Sequence, residues 1–214
     1  APHGAPSPAE KPAIIPGTVR EDTVMLRIAI AAALVGALAA CTAAVSPITL
    51  VERAVEARSA GDIATDNRIV LEANEAMANI SSISASTEIY EGRLLVTGIL
   101  EDANDYSSFR SDIDAIGGVK RLYWHVVQMS EADQDADPNV ISWASALELD
   151  AKVGISLIET AGVADVNYRV AVDSFSTVYL LGRARSQGEL NQALAAVSGT
   201  SGVGKVVNYV EVRP

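Results

Sequence analysis

From residue 66 onward the chain alternates between two hydrophobic periods. Asp66 reads as a helix N-cap, with Val70, Leu71, Met77 and Ile80 forming an apolar helical stripe that runs to Asn79. From Ile83 the period shortens to two. Ser84, Ser86 and Glu88 alternate with Ala85, Thr87 and Ile89, as in a half-buried strand. Glu91-Gly92 predicts a two-residue hairpin turn and 93–98 the return strand. Residues 102–116 predict a second helix, with Phe109, Ile113 and Ile116 on one side and Gly117-Gly118 as its stop. A third strand, 119–129, carries Tyr123 and Trp124. The predicted order is α-β-β-α-β.

The pattern then returns. Asp150-Ala151-Lys152-Val153 answers Asp66-Asn67-Arg68-Ile69, Gly182 closes a strand as Gly98 does, and Gly202-Val203 answers Gly118-Val119. The offset is constant: 150 − 66, 182 − 98 and 202 − 118 each give 84. A fixed shift linking helix start, strand end and last strand is the mark of a duplicated unit. Between the copies, 130–138 holds Glu131, Asp133, Asp135 and Asp137 and no basic residue, which reads as a solvated acidic linker and a domain boundary. The expected fold is therefore α+β: two tandem αββαβ units, each a small mixed three-stranded sheet with two helices on one face. The first spans 66–129, an acidic linker 130–148 and the second 149–214, all behind an N-terminal apolar helix.

That helix comes from a different kind of pattern. Met25 and Arg27 precede an alanine-rich apolar run, 28–38, which ends on Leu38-Ala39-Ala40-Cys41. A charged start, a short apolar core and small residues at the cut describe a secretory signal peptide, 25–40. Three other readings compete. A membrane span over 28–45 is broken by Gly36 and Thr42 and needs ~20 apolar residues. An ordinary cleaved signal would leave Cys41 as a free thiol. A buried core helix fits poorly with apolar residues on every face. Residues 1–24 begin without methionine and carry Pro2, Pro6, Pro8, Pro12 and Pro16 with no apolar period. They read as a start-site overcall, the alternative being a flexible extension. Residues 41–65 read as a tether, with a short helix over 48–58 that Gly61-Asp62 ends.

Charge narrows the function. The chain carries a formal net charge of −11, and the segment before Cys41 is neutral, so the exported part holds all of it. Nucleic-acid binding needs clustered cations and is disfavoured. Residues 66–129 hold ten acidic and five basic side chains, net −5; residues 149–214 hold six of each, net zero. Only the second unit approaches an anionic surface without strong repulsion. Arg183, Arg185 and Lys205 flank its second helix and are candidate headgroup contacts, against the plainer reading of solvated surface cations.

Catalytic patterns fail one by one. The run 199–205 has P-loop spacing up to Lys205, but Val206 follows where Ser or Thr is needed, and the run leaves a helix and enters a strand. No nucleotide is expected. His3 and His125 are the only histidines and Cys41 the only cysteine, which gives no zinc set and no Cys-His pair. Asp133, Asp135 and Asp137 lack the glycine and closing glutamate of a calcium loop. No cofactor, metal or enzymatic activity is expected. Trp124 and Trp143 read as packing residues.

Leu38-Ala39-Ala40-Cys41 resembles the lipobox of bacterial lipoproteins, whose cysteine thiol is lipidated. Leu94-Leu95-Val96-Thr97-Gly98 with Gly118-Val119-Lys120-Arg121-Leu122, and Tyr179-Leu180-Leu181-Gly182 with Gly202-Val203-Gly204-Lys205-Val206, resemble the BON domain, an αββαβ module of bacterial envelope proteins. Arg58-Ser59-Ala60-Gly61 resembles the approach to the first unit in dual-BON outer-membrane lipoproteins. The resemblance implies a non-enzymatic protein, lipid-anchored at Cys41 on the periplasmic face of the outer membrane, with phospholipid and envelope proteins as its candidate partners and a role in supporting membrane integrity. Thr42, not an aspartate, follows the cysteine, which in that family favours the outer membrane. Where the family places an aromatic near the start of the second unit's first helix, this chain has Leu147-Glu148-Leu149, with Trp143 upstream. The alternative is a soluble periplasmic stress or chaperone-like module that binds proteins through one sheet face.

Overall fold

The structure is a computed structural model that describes residues 56–80 and 84–213. The signal peptide, lipobox and Cys41 lie outside the described residues, as does most of the helix expected over 48–58. The first described helix is capped by Ser59, whose Oγ accepts from the Asp62 amide at 3.1 Å and donates to the Asp62 carboxylate at 2.6 Å. That reciprocal cap starts helix α1, Ala60–Ala78. Gly61-Asp62 therefore opens a helix instead of ending one, and Asp66 is not an N-cap. It lies in the helix's second turn, buried, with other work to do. Leu71 is also corrected: it is 65% exposed, and Ile69, Ala73 and Ala76 form the buried face.

Strands β1 (Ser84–Tyr90) and β2 (Arg93–Leu100) form the expected hairpin, with Tyr90 paired to Arg93. Glu91 and Gly92 have φ of 53° and 76°, the left-handed pair that a tight hairpin needs for its twist to match the strands. Helix α2, Ala103–Ala115, is capped by Asp102, whose side chain accepts from Asn104 and Asp105 amides. It buries Phe109 and Ile113. Strand β3, Arg121–Gln128, returns parallel to β2.

The acidic stretch is not a bare linker. Ser130 caps a short helix, α3 (Glu131–Ala136), by accepting from the Asp133 amide, and acids in a first turn favour the helix dipole. Helix α4, Trp143–Glu159, starts at Ser142, ahead of the boundary expected at 149. A 3-10 turn leads to β4 (Tyr168–Val172), then β5 (Thr177–Ala184), helix α5 (Gln187–Gly199) and β6 (Lys205–Val212). The strand orders are β1-β2-β3 and β4-β5-β6, each with one antiparallel and one parallel neighbour pair. The fold is mixed α+β, built on small three-stranded sheets. The limits of β5, α5 and β6 equal those of β2, α2 and β3 plus 84.

Each sheet is covered on both faces. Leu94, Val96 and Leu100 of β2 pack with Ile69, Ala73, Phe109 and Ile113 of the helices. Val178 and Leu180 of β5 do the same with Leu149, Val153, Leu190 and Val197. The alternate residues meet in the middle: Tyr90 and Leu95 pack against Ala171, Tyr179 and Leu181. The result is four layers, helices, sheet, sheet, helices, within a unit that spans Val51–Pro214. This explains why β2 is buried at every position: a central strand with two covered faces reads as one apolar run.

Several polar groups in the middle layer are matched. Buried Arg93 donates at 2.8 Å to the Tyr209 carbonyl and at 2.8 Å to the Gly182 carbonyl, so a β2 side chain satisfies the other sheet's backbone. His125 Nε2 and the Tyr209 hydroxyl are 2.8 Å apart, and the Tyr123 and Tyr209 rings stack at 3.9 Å. His125 is thus a packing residue at the sheet interface. Residues 56–58 of the expected tether are also held: the Ala57 amide donates to Asn167 Oδ1 at 2.7 Å, and Arg183 Nη1 donates to the Ala57 carbonyl at 3.3 Å.

Candidate functional site: an apolar stripe on the outer face of helix α4

Helix α4 carries two apolar rows. Ala146, Leu149, Val153 and Leu157, spaced by three and four residues, face the sheet and are buried. A second row, Leu147, Ala151, Ile155 and Ile158, follows the same spacing about a third of a turn away and faces outward. Leu147 is 51% exposed, Ile155 54% and Ile158 66%. Beside this row run Glu148, Lys152 and Glu159, with Lys152 Nζ 2.8 Å from Glu148, an exposed i,i+4 pair. Helix α1 at the corresponding place is different. The positions 84 residues before the outward row are Ile63, Asn67, Leu71 and Asn74: Leu71 alone of them is a fully exposed large apolar side chain, Ile63 is partly buried, and the other two are amides. Isolated exposed apolar residues are ordinary; a row of them along one helix marks a contact surface.

The expected headgroup contacts are not assembled into one patch. Arg183 is half-buried, donating to the Arg213 and Ala57 carbonyls. Arg185 is paired with Glu189 at 3.0 Å. Lys205 is exposed at the start of β6, where it pairs in register with Thr177, six residues from the Arg183–Glu211 rung. The two arginines and the lysine therefore stand at opposite ends of α5. Trp143 packs partly buried against the core below α4, and Trp124 packs on Phe109 and Tyr106. Among the described residues no His, Cys, Asp and Glu group could hold a metal ion. No described helix is long and apolar enough to cross a membrane.

Two carboxylates near α4 titrate abnormally. Burial raises Glu88, on the sheet-facing side of β1, to about 7, with Arg169 opposing the shift and Asp150 adding to it. Burial raises Asp150 of α4 to about 6. In the unfolded chain these groups ionise near their ordinary values, so between those values and the raised ones the folded state holds more protons. Their contribution to stability is complete below pH of about 4 and is lost as pH rises through 6 to 7. Desolvated His125 is shifted down and acts in the opposite sense. Glu88→Gln should therefore raise the melting temperature at pH ~8 relative to the parent and shrink the difference at pH ~5. Equal effects at both pH values in thermal melts would remove Glu88 from the account.

The BON domain family matches residues 147–214, which contain all four outward apolar residues of α4. The BON family consists of non-catalytic binding domains associated with phospholipid and envelope surfaces. The chain is 26% identical over 149 residues to an uncharacterized protein of the gshII 5′ region of Anaplasma centrale, covering 69% of this chain and 95% of that one. Among solved structures it is similar to CdsD, a structural protein of the type III secretion system of Chlamydia trachomatis. That similarity is 12% identity and a TM-score of 0.30 over 69% of this chain and 93% of the other. A separate structure of the CdsD C-terminal domain gives 12% identity and a TM-score of 0.28 over 68% and 97%.

Sequence reasoning missed the stripe because only one apolar row is needed to seat a helix. A signal was present. Leu147, Ile155 and Ile158 are apolar at positions off the Ala146-Leu149-Val153-Leu157 period. The absent aromatic drew attention to the same place, since Leu147 begins the outward row.

Proposed function

We propose that this is a lipid-anchored envelope protein of the dual-BON type, non-enzymatic, whose second unit makes a direct phospholipid contact through the outer face of α4. The single observation that carries the contact is the exposed row Leu147, Ala151, Ile155 and Ile158 inside the BON domain. The 84-residue recurrence of strand and helix limits supports a first BON-like unit over 66–129, and Cys41 behind Leu38-Ala39-Ala40 supplies the proposed anchor on the periplasmic face of the outer membrane. One acyl chain binds a bilayer only marginally, so a second contact of a few half-buried aliphatic side chains stabilises attachment. Each such side chain contributes on the order of 1 kcal/mol when it leaves water. Supporting outer-membrane integrity is the proposed consequence. The alternative, protein capture on a sheet face, lacks its surface among the described residues, since each sheet is covered by helices on one face and by the other sheet on the other.

The test separates anchor from contact. In protein carrying Cys41→Ser, vesicles of phosphatidylethanolamine and phosphatidylglycerol should still bind weakly in flotation. Adding Leu147→Ser, Ile155→Ser and Ile158→Ser should weaken binding roughly tenfold or more without lowering the melting temperature. Undiminished flotation would refute the stripe as the contact. Arg183→Ser, Arg185→Ser and Lys205→Ser together should have a smaller, salt-dependent effect. For the anchor, labelled palmitate fed to cells should be incorporated into the parent chain and not into Cys41→Ser; an unlabelled parent ends the lipoprotein reading.

A further inference from the structure

We infer that the free edge of β3 pairs antiparallel with β3 of a second copy of this chain. β3 is bonded to β2 along one edge only. The Arg121 amide donates to Gly92 O and the Met129 amide to Leu100 O, both on the β2 side. Strand amides alternate in direction, so those of Leu122, Trp124, Val126 and Gln128 point away from β2. Among the described residues nothing accepts from them.

The matching edge of β6 is treated differently. There the outward amide of Val210 donates to Asn208 Oδ1 of its own strand at 2.9 Å, which spoils the edge as a pairing template. The position equivalent to Asn208, 84 residues earlier, is Trp124, whose ring packs on Phe109 and whose Nε1 donates to Tyr106. It cannot perform that blocking role. An eight-residue edge strand with no proline, no inward charge and no self-cap is the kind that takes on another strand.

Charge selects a second copy as the occupant. Lys120 and Arg121 stand at the start of β3, and Glu131 and Asp133 stand just past its end, in the first turn of α3. None of the four is in an ion pair among the described residues. An antiparallel partner of identical sequence brings the basic start of each strand to the acidic end of the other, twice, by symmetry. A two-fold axis at His125 sets Trp124 opposite Val126 as the hydrogen-bonded pair. It also sets Tyr123 opposite Val127, an aromatic to β-branched pair of the favourable type. Val127 is 41% exposed without that partner. In the same register Arg121 falls opposite Met129 and Lys120 opposite Ser130, within side-chain reach of Glu131 and Asp133.

Sedimentation velocity on the full chain in mild detergent tests this. The parent should sediment as a dimer at micromolar concentration. Lys120→Glu with Arg121→Glu should weaken the dimer at least tenfold while the melting temperature stays within a few degrees. Adding Glu131→Lys and Asp133→Lys should restore it. A parent that stays monomeric up to ~100 µM overturns the inference, as does a dimer indifferent to the first pair of changes or a failure of the second pair to rescue.

Discussion

Gly182→Ala should lower the melting temperature by about 10 °C, an unusually large response to one methyl group. At Gly182 the backbone has φ of 145°, in a region that side chains avoid. A Cβ there would press into the Asn167 carbonyl and stand 3.0 Å from Tyr168 Cα, backbone atoms at the entry to the paired strand that cannot swing aside. The surroundings leave little room to adjust. Asn167 is fully buried and its Oδ1 holds the Ala57 amide, while the Gly182 carbonyl holds Arg93. Relief of the clash in either direction loosens the joint between the sheets. Strain of this kind with disturbed buried bonds costs about 3–4 kcal/mol, and near 160 folded residues each kcal/mol moves the midpoint by roughly 3 °C. Gly98 is in the same situation, with φ of 148° and a Cβ position 2.6 Å from Ala85 Cα. Gly154 is the control: it lies within α4 with nothing near its Cβ position, so Gly154→Ala should stabilise by about 0.5–1 kcal/mol. Thermal melts followed by circular dichroism decide it; a Gly182→Ala midpoint within 3 °C of the parent would show that the strands shift apart freely.

That glycine illustrates what the amino-acid order makes legible. Gly98 and Gly182 stood out by their constant offset, but they do not close their strands, which run on to Leu100 and Ala184; the physical reason for the pattern is the close approach of the neighbouring strand. The hairpin at Glu91-Gly92 and the faces of α2 were equally readable, because local turn chemistry and a single hydrophobic period decide them. The start of α1 was not. Asp66 looks like a cap beside a polar neighbour, and Gly61 looks like a stop, but the Ser59–Asp62 reciprocal cap outweighs one glycine in the first turn. The acidic segment after β3 hid a short helix, since Ser130 and early acids favour one even without an apolar stripe. What joins the two sheets was invisible for a different reason. Arg93, Asn167 and Tyr209 make their bonds across separations of 77 to 116 residues, and no local period encodes a contact of that range. The outward row of α4 was half hidden by the inward one.

The repeat also predicts an equivalence that the structure breaks, and that break yields the second large effect. Asp66 and Asp150 occupy corresponding places, yet Asp66→Ala should cost about 3–5 kcal/mol while Asp150→Ala should be neutral or stabilising at pH ~7. Asp66 is 1% exposed and fully employed. Its two oxygens accept from the Glu91 and Gly92 amides, both at 2.7 Å, so it ties the hairpin turn to α1. It also receives Arg58 Nη1 at 2.8 Å, and that guanidinium lies over the Tyr90 ring. Truncation strands two turn amides at once and leaves the desolvated Arg58 with Glu56 as its remaining carboxylate, a situation in which a lost buried partner costs heavily. Asp66→Asn should recover little, because an amide presents one acceptor where two donors and a cation converge. In the second hairpin that duty has passed to Asp173, which accepts from the Phe175 and Thr177 amides at 2.9 Å and from the Tyr179 hydroxyl at 2.9 Å. Asp150 is thereby left half-buried, with no hydrogen bond or ion pair among the described residues and its carboxyl pushed up to about 6. Ionising it near pH 7 opposes folding, and removing it relieves that opposition. Urea denaturation of the two alanine variants at pH ~7 should show opposite signs at equivalent sites; a comparable loss at both would mean that Asp150 is bound as Asp66 is and that the two hairpins are held alike.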